Sequence, residues 1–257
     1  MRLALHPTGE IGQRAGRILL AEAELEALGV YGHRGTGTEE RRATAITSLA
    51  GYAVLASDDG VAPLDLAGIA VADGLSCVLA ADTEPPPDLA GRFATRGLTL
   101  LVAASLPGLA EALAHRALGD GSLPGTLLLA WTRPGKPGRR DVAVPFPDPV
   151  GARWGTRLPA RPGDPGSTTR AEAFLDGPWA GALARLTAGT GRKRTERLVA
   201  VADDRRHLEA VALAAGALLL ARGGAPPGAC RPGDVAPAYL AACLGVGLEV
   251  AGLGRLG

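Results

Sequence analysis

His6-Pro-Thr-Gly-Glu-Ile-Gly12 lies between the apolar run Arg2-Leu-Ala-Leu5 and a helical stretch over about residues 11–22. A buried strand, a glycine turn and a helix in this order predict the opening of a dinucleotide-binding βαβ unit. Gly9 and Gly12 take two of the three fingerprint glycine positions. One glycine lets backbone approach a pyrophosphate, the next lets helix and strand pack closely, and the helix start offers N–H groups and a positive dipole end to phosphate. His6 takes the place of the first glycine, which alters the tight turn and brings an imidazole near the phosphates. Gly16, one turn after Gly12, keeps that helix face small. The cofactor-binding set at this turn is therefore His6, Thr8, Gly9, Glu10, Ile11 and Gly12.

Outward from the turn, strands and helices alternate. Strands are expected over residues 2–5, 28–32, 52–56, 76–81 and 98–103, with helices over 64–73 and 110–118. Residues 35–48 are polar and read as a mobile loop or short exposed helix. Such alternation predicts an α/β protein with a Rossmann-like doubly wound parallel sheet. Four of the strands finish in small or polar residues, where an open α/β sheet takes its ligands. Ser57, Asp58, Ala81 and Ser105 join the candidate cleft on this ground, although Ser105 alone also suits a helix cap.

The end of the second strand bears on cofactor choice. A carboxylate there would accept bonds from the adenosine ribose and select NAD, whereas an arginine would pair with the 2′-phosphate of NADP. The residues are Gly32, His33 and Arg34, without an acid. NADP is favoured, with NAD as the alternative, and Arg41 or Arg42 could make the same contact as Arg34.

Composition excludes several classes. A formal net charge of +1 over 257 residues argues against a nucleic-acid partner. The longest apolar candidate, residues 210–221, is too short for a membrane span. His6 and Pro7 interrupt the first apolar run, so it does not read as a signal peptide, and a cytoplasmic protein is expected. Cys77, Cys230 and Cys243 are odd in number, show no CxxC spacing and sit among apolar residues. Buried free thiols are expected, and no metal site.

From Trp131 to Arg161 the chain becomes rich in Pro, Gly and Arg. Proline removes donors and clashes with the preceding turn, so loops and short edge strands are expected rather than helix. Lys136, Arg139, Arg140 and Arg153 could hold a carboxylate or phosphate, with Trp131 and Trp154 as apolar walls, or could be solvated charges on a connector. Arg139, Arg140 and Arg153 are the substrate-binding candidates. Lys136 and His207 are the acid/base candidates. Order returns with a strand over 197–202, a long helix over 205–222 expected to pack on the second domain's sheet, a helix over 235–244 and a strand over 247–250. The expected division is a dinucleotide-binding domain over 1–124, a smaller α+β substrate and oligomerisation domain over 125–234, and a segment over 235–257 that returns to the first domain.

The opening strand with Thr8-Gly-Glu-Ile-Gly12, the layout of two lobes, and the tail Gly216-Ala-Leu-Leu-Leu-Ala-Arg-Gly-Gly-Ala-Pro-Pro-Gly228 leading to Asp234-Val235 resemble the dihydrodipicolinate reductase and saccharopine dehydrogenase-like group. The resemblance implies an NAD(P)-dependent oxidoreductase for a small carbonyl, imine or amino-acid-like substrate, with a second lobe that leaves a homo-oligomer open. The His-His pair, lysine and Ser-Gly-Thr turn of the dihydrodipicolinate reductase substrate site are missing, so that particular activity is not expected. The alternative is a Rossmann-like nucleotide-binding or regulatory protein that has kept the fold and lost turnover.

Overall fold

A computed structural model of the chain describes residues 1–32, 42–119, 125–135, 139–161, 164, 167–189 and 194–255. They divide into two compact units, Met1–Ser105 with Glu209–Gly247, and Leu106–Leu208 with Leu248–Gly257.

The first unit opens with β1 (Arg2–His6) and α1 (Glu10–Ala21), followed by β2 (Ala27–Tyr31), β3 (Ala43–Ile46), β4 (Val54–Ser57), α2 (Pro63–Ala72), β5 (Ser76–Leu79), α3 (Pro87–Thr95) and β6 (Thr99–Leu101). After the second unit's elements come β13 (Gly228–Cys230) and α6 (Ala236–Gly245). The sheet runs β3-β2-β1-β4-β5-β6-β13, and every pairing in it is parallel. Leu3, Ala4 and Leu5 are buried, as both faces of a covered parallel sheet require. Helix α1 turns Gly12, Ala15, Gly16 and Leu19 inward, a spacing that lays one stripe on the sheet. A Cβ on Gly16 would lie 3.2 Å from Leu5 Cδ2, so the small residue sets how closely helix and strand approach.

Strand order reverses between β1 and β4. In an open α/β sheet the crevice beyond the carboxyl ends of such a pair is the place for a ligand. It falls here on His6 and the following turn, and on Ser57 and Asp58.

The second unit begins with α4 (Leu106–Leu118) and continues through β7 (Gly125–Arg133), β8 (Val142–Pro145), β9 (Ala152–Leu158), β10 (Ser167–Phe174), β11 (Trp179–Ala188) and β12 (Thr195–Asp204). Helix α5 (Arg205–Ala221) crosses into the first unit, and β14 (Ala251–Arg255) closes the second sheet. That sheet runs β14-β12-β11-β7-β10-β9-β8 and is antiparallel except between β7 and β10. The chain is thus an α/β protein with a doubly wound parallel sheet and a second, mixed sheet.

Several expectations change. The division falls at Ser105 and Leu208 rather than at 124 and 234, because α4 packs on β7 and β11 of the second sheet. The C-terminal segment splits as well: α6 stays with the first unit, while β14 pairs with β12. Most of α5 packs on the first sheet, not the second, since a Cβ on Gly216 would meet Val78, Leu101 and Ala104. Residues 43–46 form an outer strand where a loop or short helix was expected, because Ala-Thr-Ala-Ile pairs in register with β2. The last strand lies at 251–255 rather than 247–250. Trp131 lies on a central strand and is 3% exposed, so it belongs to the core and not to a cleft wall. β8 and β9 are the edge strands that proline favours.

Candidate functional site

Counted back from Gly9 and Gly12, the strict G-x-G-x-x-G spacing puts Pro7, not His6, in the first glycine's place; His6 is the last residue of β1. The two glycines then differ in what they do. A Cβ on Gly12 would come 2.7 Å from Pro7 Cα and 2.9 Å from Asp58 Oδ2, so glycine is required by the chain's own packing. Among the described residues, a Cβ on Gly9 would meet nothing nearer than Asp58 Oδ2 at 3.9 Å. Its backbone is extended, with φ −157°. Gly9 therefore leaves open space beside the turn, as close backbone approach to a ligand demands.

Helix α1 begins without a side-chain cap of its own, because Gly9 is its N-cap residue and Gly12 occupies the third helical position. Asp58, just after β4, supplies the missing acceptor. Its Oδ1 accepts bonds from Thr8 N–H at 2.6 Å and Thr8 Oγ1–H at 3.0 Å. Its Oδ2 accepts from Gly9 N–H at 3.2 Å and Gly12 N–H at 2.8 Å. Four donors converge on one carboxylate, at the helix end where the dipole also favours an anion. Backbone and space at the turn suit a phosphate, yet these donors already hold an anion. In the chain as folded the turn does not fit a dinucleotide pyrophosphate until Asp58 moves.

His6 meets the carboxyl end of β2. Its ring lies 6.2 Å from that of Tyr31, and a Cβ on Gly32 would come within 3.0 Å of the imidazole. Gly32 has φ +76°, so glycine serves both the turn and the histidine beside it. Ser57 Oγ donates to the His6 carbonyl at 3.3 Å and lies 3.4 Å from His6 Nδ1. Asp59 N–H donates to Ser57 Oγ, and Asp59 Oδ1 accepts from Val61 N–H, which leads the chain into α2.

Further along the sheet, the Ser105 hydroxyl donates to the Ala80 carbonyl at 2.7 Å, and Ala103 N–H to the Ala81 carbonyl. Ser105 ties two strand ends together, and α4 begins at Leu106, four residues earlier than expected. Ala103 has φ +58°, the one left-handed non-glycine among the described residues, at the carboxyl end of β6.

Arg42 has another task than a 2′-phosphate. It donates to the carbonyls of Leu20, Glu22 and Leu25, at and beyond the end of α1. Arg34, Arg41 and Lys136 lie outside the described residues.

In the second unit, Arg140 and Arg153 come together with Trp154, Phe174 and Asp176 around a concavity of about 310 Å³. Arg139 is not among its lining residues; it is 86% exposed and pairs with Asp141 at 3.8 Å. His207 sits in the first turn of α5, where its N–H donates to Asp204 Oδ1. Its Nε2 lies 3.8 Å from Asp203 on a half-exposed surface.

A charge cluster that the sequence reading missed lies deeper in this unit. Arg170, 2% exposed, donates to Glu111 at 2.6 Å and to Asp164 at 2.9 Å, and lies 5.5 Å over the Trp131 ring. Arg161 joins Glu111 at 3.4 Å. A single arginine at an inward position of a strand, opposite a glutamate on an apolar helix, was the available signal.

The three thiols are free and buried. Burial pushes Cys230 up to about 12 and Cys77 and Cys243 higher still, which leaves them protonated and unreactive. Among the described residues no group of His, Cys, Asp or Glu could hold a metal ion, and no helix is long and apolar enough to cross a membrane.

No protein-family model matches the chain, and no curated protein matches its sequence. Solved structures do share its fold. Homospermidine synthase from Legionella pneumophila, in complex with NAD, is 10% identical with a TM-score of 0.66, over 99% of this chain and 91% of that one. Dipicolinate-bound dihydrodipicolinate reductase from Paenisporosarcina sp. TG-14 is 12% identical with a TM-score of 0.54, over 90% and 97%. An engineered D-amino acid dehydrogenase bound to NADP+ is 14% identical with a TM-score of 0.56, over 93% and 95%. The chain has the two-domain Rossmann fold of such dehydrogenases and reductases.

Proposed function

We propose that this protein is an NAD(P)-dependent oxidoreductase acting on a small carbonyl, imine or amino-acid-like substrate. The observation that carries the reading is the glycine turn of residues 8–12 at the point where the order of a parallel sheet reverses, with room beside Gly9 that the described residues do not fill. The fold's hosting of many unrelated functions means that the site, not the sheet, has to support the chemistry. NADP is favoured over NAD, on Arg34 shortly after β2. Arg140 and Arg153 supply paired guanidinium groups for an anionic substrate, Trp154 and Phe174 an apolar surface beside them, within the size range of small-molecule pockets. A cytoplasmic setting goes with this reading, which leaves a homo-oligomer open.

A second reading, a nucleotide-binding or regulatory protein without turnover, is favoured by the carboxylate of Asp58 on the phosphate turn and by the His6 ring at the end of β2. Fluorescence titration of NADPH and NADH, followed by a turnover screen with 2-oxo acids plus ammonia and with cyclic imines, tests both. Saturable binding, tighter for NADPH, with oxidation of the nucleotide by one substrate class is expected. Binding without turnover favours the second reading, and no binding of either nucleotide overturns the first.

A further inference from the structure

We propose that Asp58 is a built-in competitor for the phosphate-binding end of α1, so that a dinucleotide binds only by displacing it; the inference rests on the oxidoreductase reading above. Rossmann turns leave amides open to a phosphate. Here Gly9 and Gly12 lack side chains that could cap the helix, and the acceptor comes from 46 residues away in sequence. A carboxylate has about four lone-pair sites, and the Asp58 oxygens accept four bonds, from Thr8 N–H, Thr8 Oγ1–H, Gly9 N–H and Gly12 N–H. The set is nearly saturated, so Asp58 satisfies the turn by itself and neutralises the attraction of the helix end for an anion.

A pyrophosphate arriving at this turn meets donors that are already engaged and a like charge in contact distance of them. Both effects weaken binding. Exchange remains open because Asp58 is only part-buried and is followed by Asp59 and the exposed Gly60, so its side chain has a path into water. The nucleotide and Asp58 then compete for the same amides, and the affinity is the difference between two anions on one turn. A merely structural cap would act with the opposite sign, since its loss would disorder the turn and weaken the ligand.

The test is fluorescence titration of NADPH into wild type, Asp58→Asn and Asp58→Ala, with thermal unfolding of each protein without nucleotide. Asp58→Asn keeps the size of the side chain and one acceptor while removing the charge, so it remains informative should Asp58→Ala fold poorly. Both variants are expected to lower Tm without nucleotide, yet to bind NADPH at least about fivefold more tightly. Weak binding by wild type and tighter binding by the variants supports the proposal. Equal or weaker binding by the variants, with wild type binding, overturns it and leaves the dinucleotide reading in place. No binding by wild type or by either variant overturns both.

Discussion

Each unit of this molecule holds a carboxylate by several donors, and the two do so in different ways. At Asp58 the donors are mainly backbone amides at a helix end, half open to water, and any anion of suitable shape could take the place of the first. At Glu111 the donors are guanidinium groups, that of Arg161 and that of Arg170, the latter 2% exposed and fixed beside Trp131, with Asp164 on its other side. Arg170 Nε finds no acceptor among the described residues, and its burial leaves no water with which it could exchange partners. Amides accept a replacement ligand, whereas a buried guanidinium requires its own. The first arrangement is built for exchange and the second for holding α4 to its sheet.

The largest effect should come from breaking the second arrangement. Arg170→Ala leaves Glu111 and Asp164 without their shared cation in a buried place, and should cost about 3–5 kcal/mol in urea unfolding. A loss below about 1 kcal/mol would make the cluster an ordinary surface pair and remove the contrast.

The glycine turn sharpens the comparison from its other side. Gly12→Val drives a side chain into Pro7 and should destabilise by about 1–3 kcal/mol, with loss of nucleotide binding. Gly9→Ala, in extended backbone with room for the methyl, should change stability by no more than about 1 kcal/mol. It should nevertheless weaken NADPH, because the methyl fills the space a phosphate would use. Equal stability losses in the two variants would show that both glycines serve packing alone.

The smallest effect concerns pH. Burial raises Cys230 from its ordinary 9.0 to about 12, so folded protein keeps a proton that unfolded protein releases between those values. The unfolded state then binds fewer protons, and stability should be unchanged by this thiol below pH 9 and fall as pH rises above it. Cys230→Ala should flatten part of that slope in urea unfolding at pH 8 and pH 10, and an unchanged slope would contradict the burial argument.

Much of the first unit was legible because its signals are local. The spacing of Gly12 and Gly16, the apolar core of β1 and the polar strand ends each lie within a few residues. The second sheet was less so. Trp131 and Arg170 occupy central strands although their neighbourhoods are rich in proline or charge, since the pairing of β7 with β11 and β10, and of β10 with β7 and β9, decides their burial. Thr8, Gly9, Gly12 and Asp58 could be named as candidates from the sequence, but the hydrogen bonds that join them could not. Asp58 read as a residue facing a ligand, and its bonds to the turn cross some fifty positions of chain that no local pattern spans. The boundary at Ser105 was hidden for the same reason, because α4 follows a strand of one sheet and packs on the other.

The central claim, that the amides at the start of α1 exchange an internal carboxylate for a nucleotide phosphate, is tested most directly by following the amide signals of Thr8, Gly9 and Gly12 in nitrogen-15 NMR spectra. Addition of NADPH to wild type, and substitution of Asp58→Asn without nucleotide, should each shift these three signals more than those elsewhere in the first unit. Saturating NADPH that moves other amides while Thr8, Gly9 and Gly12 stay in place would contradict the account.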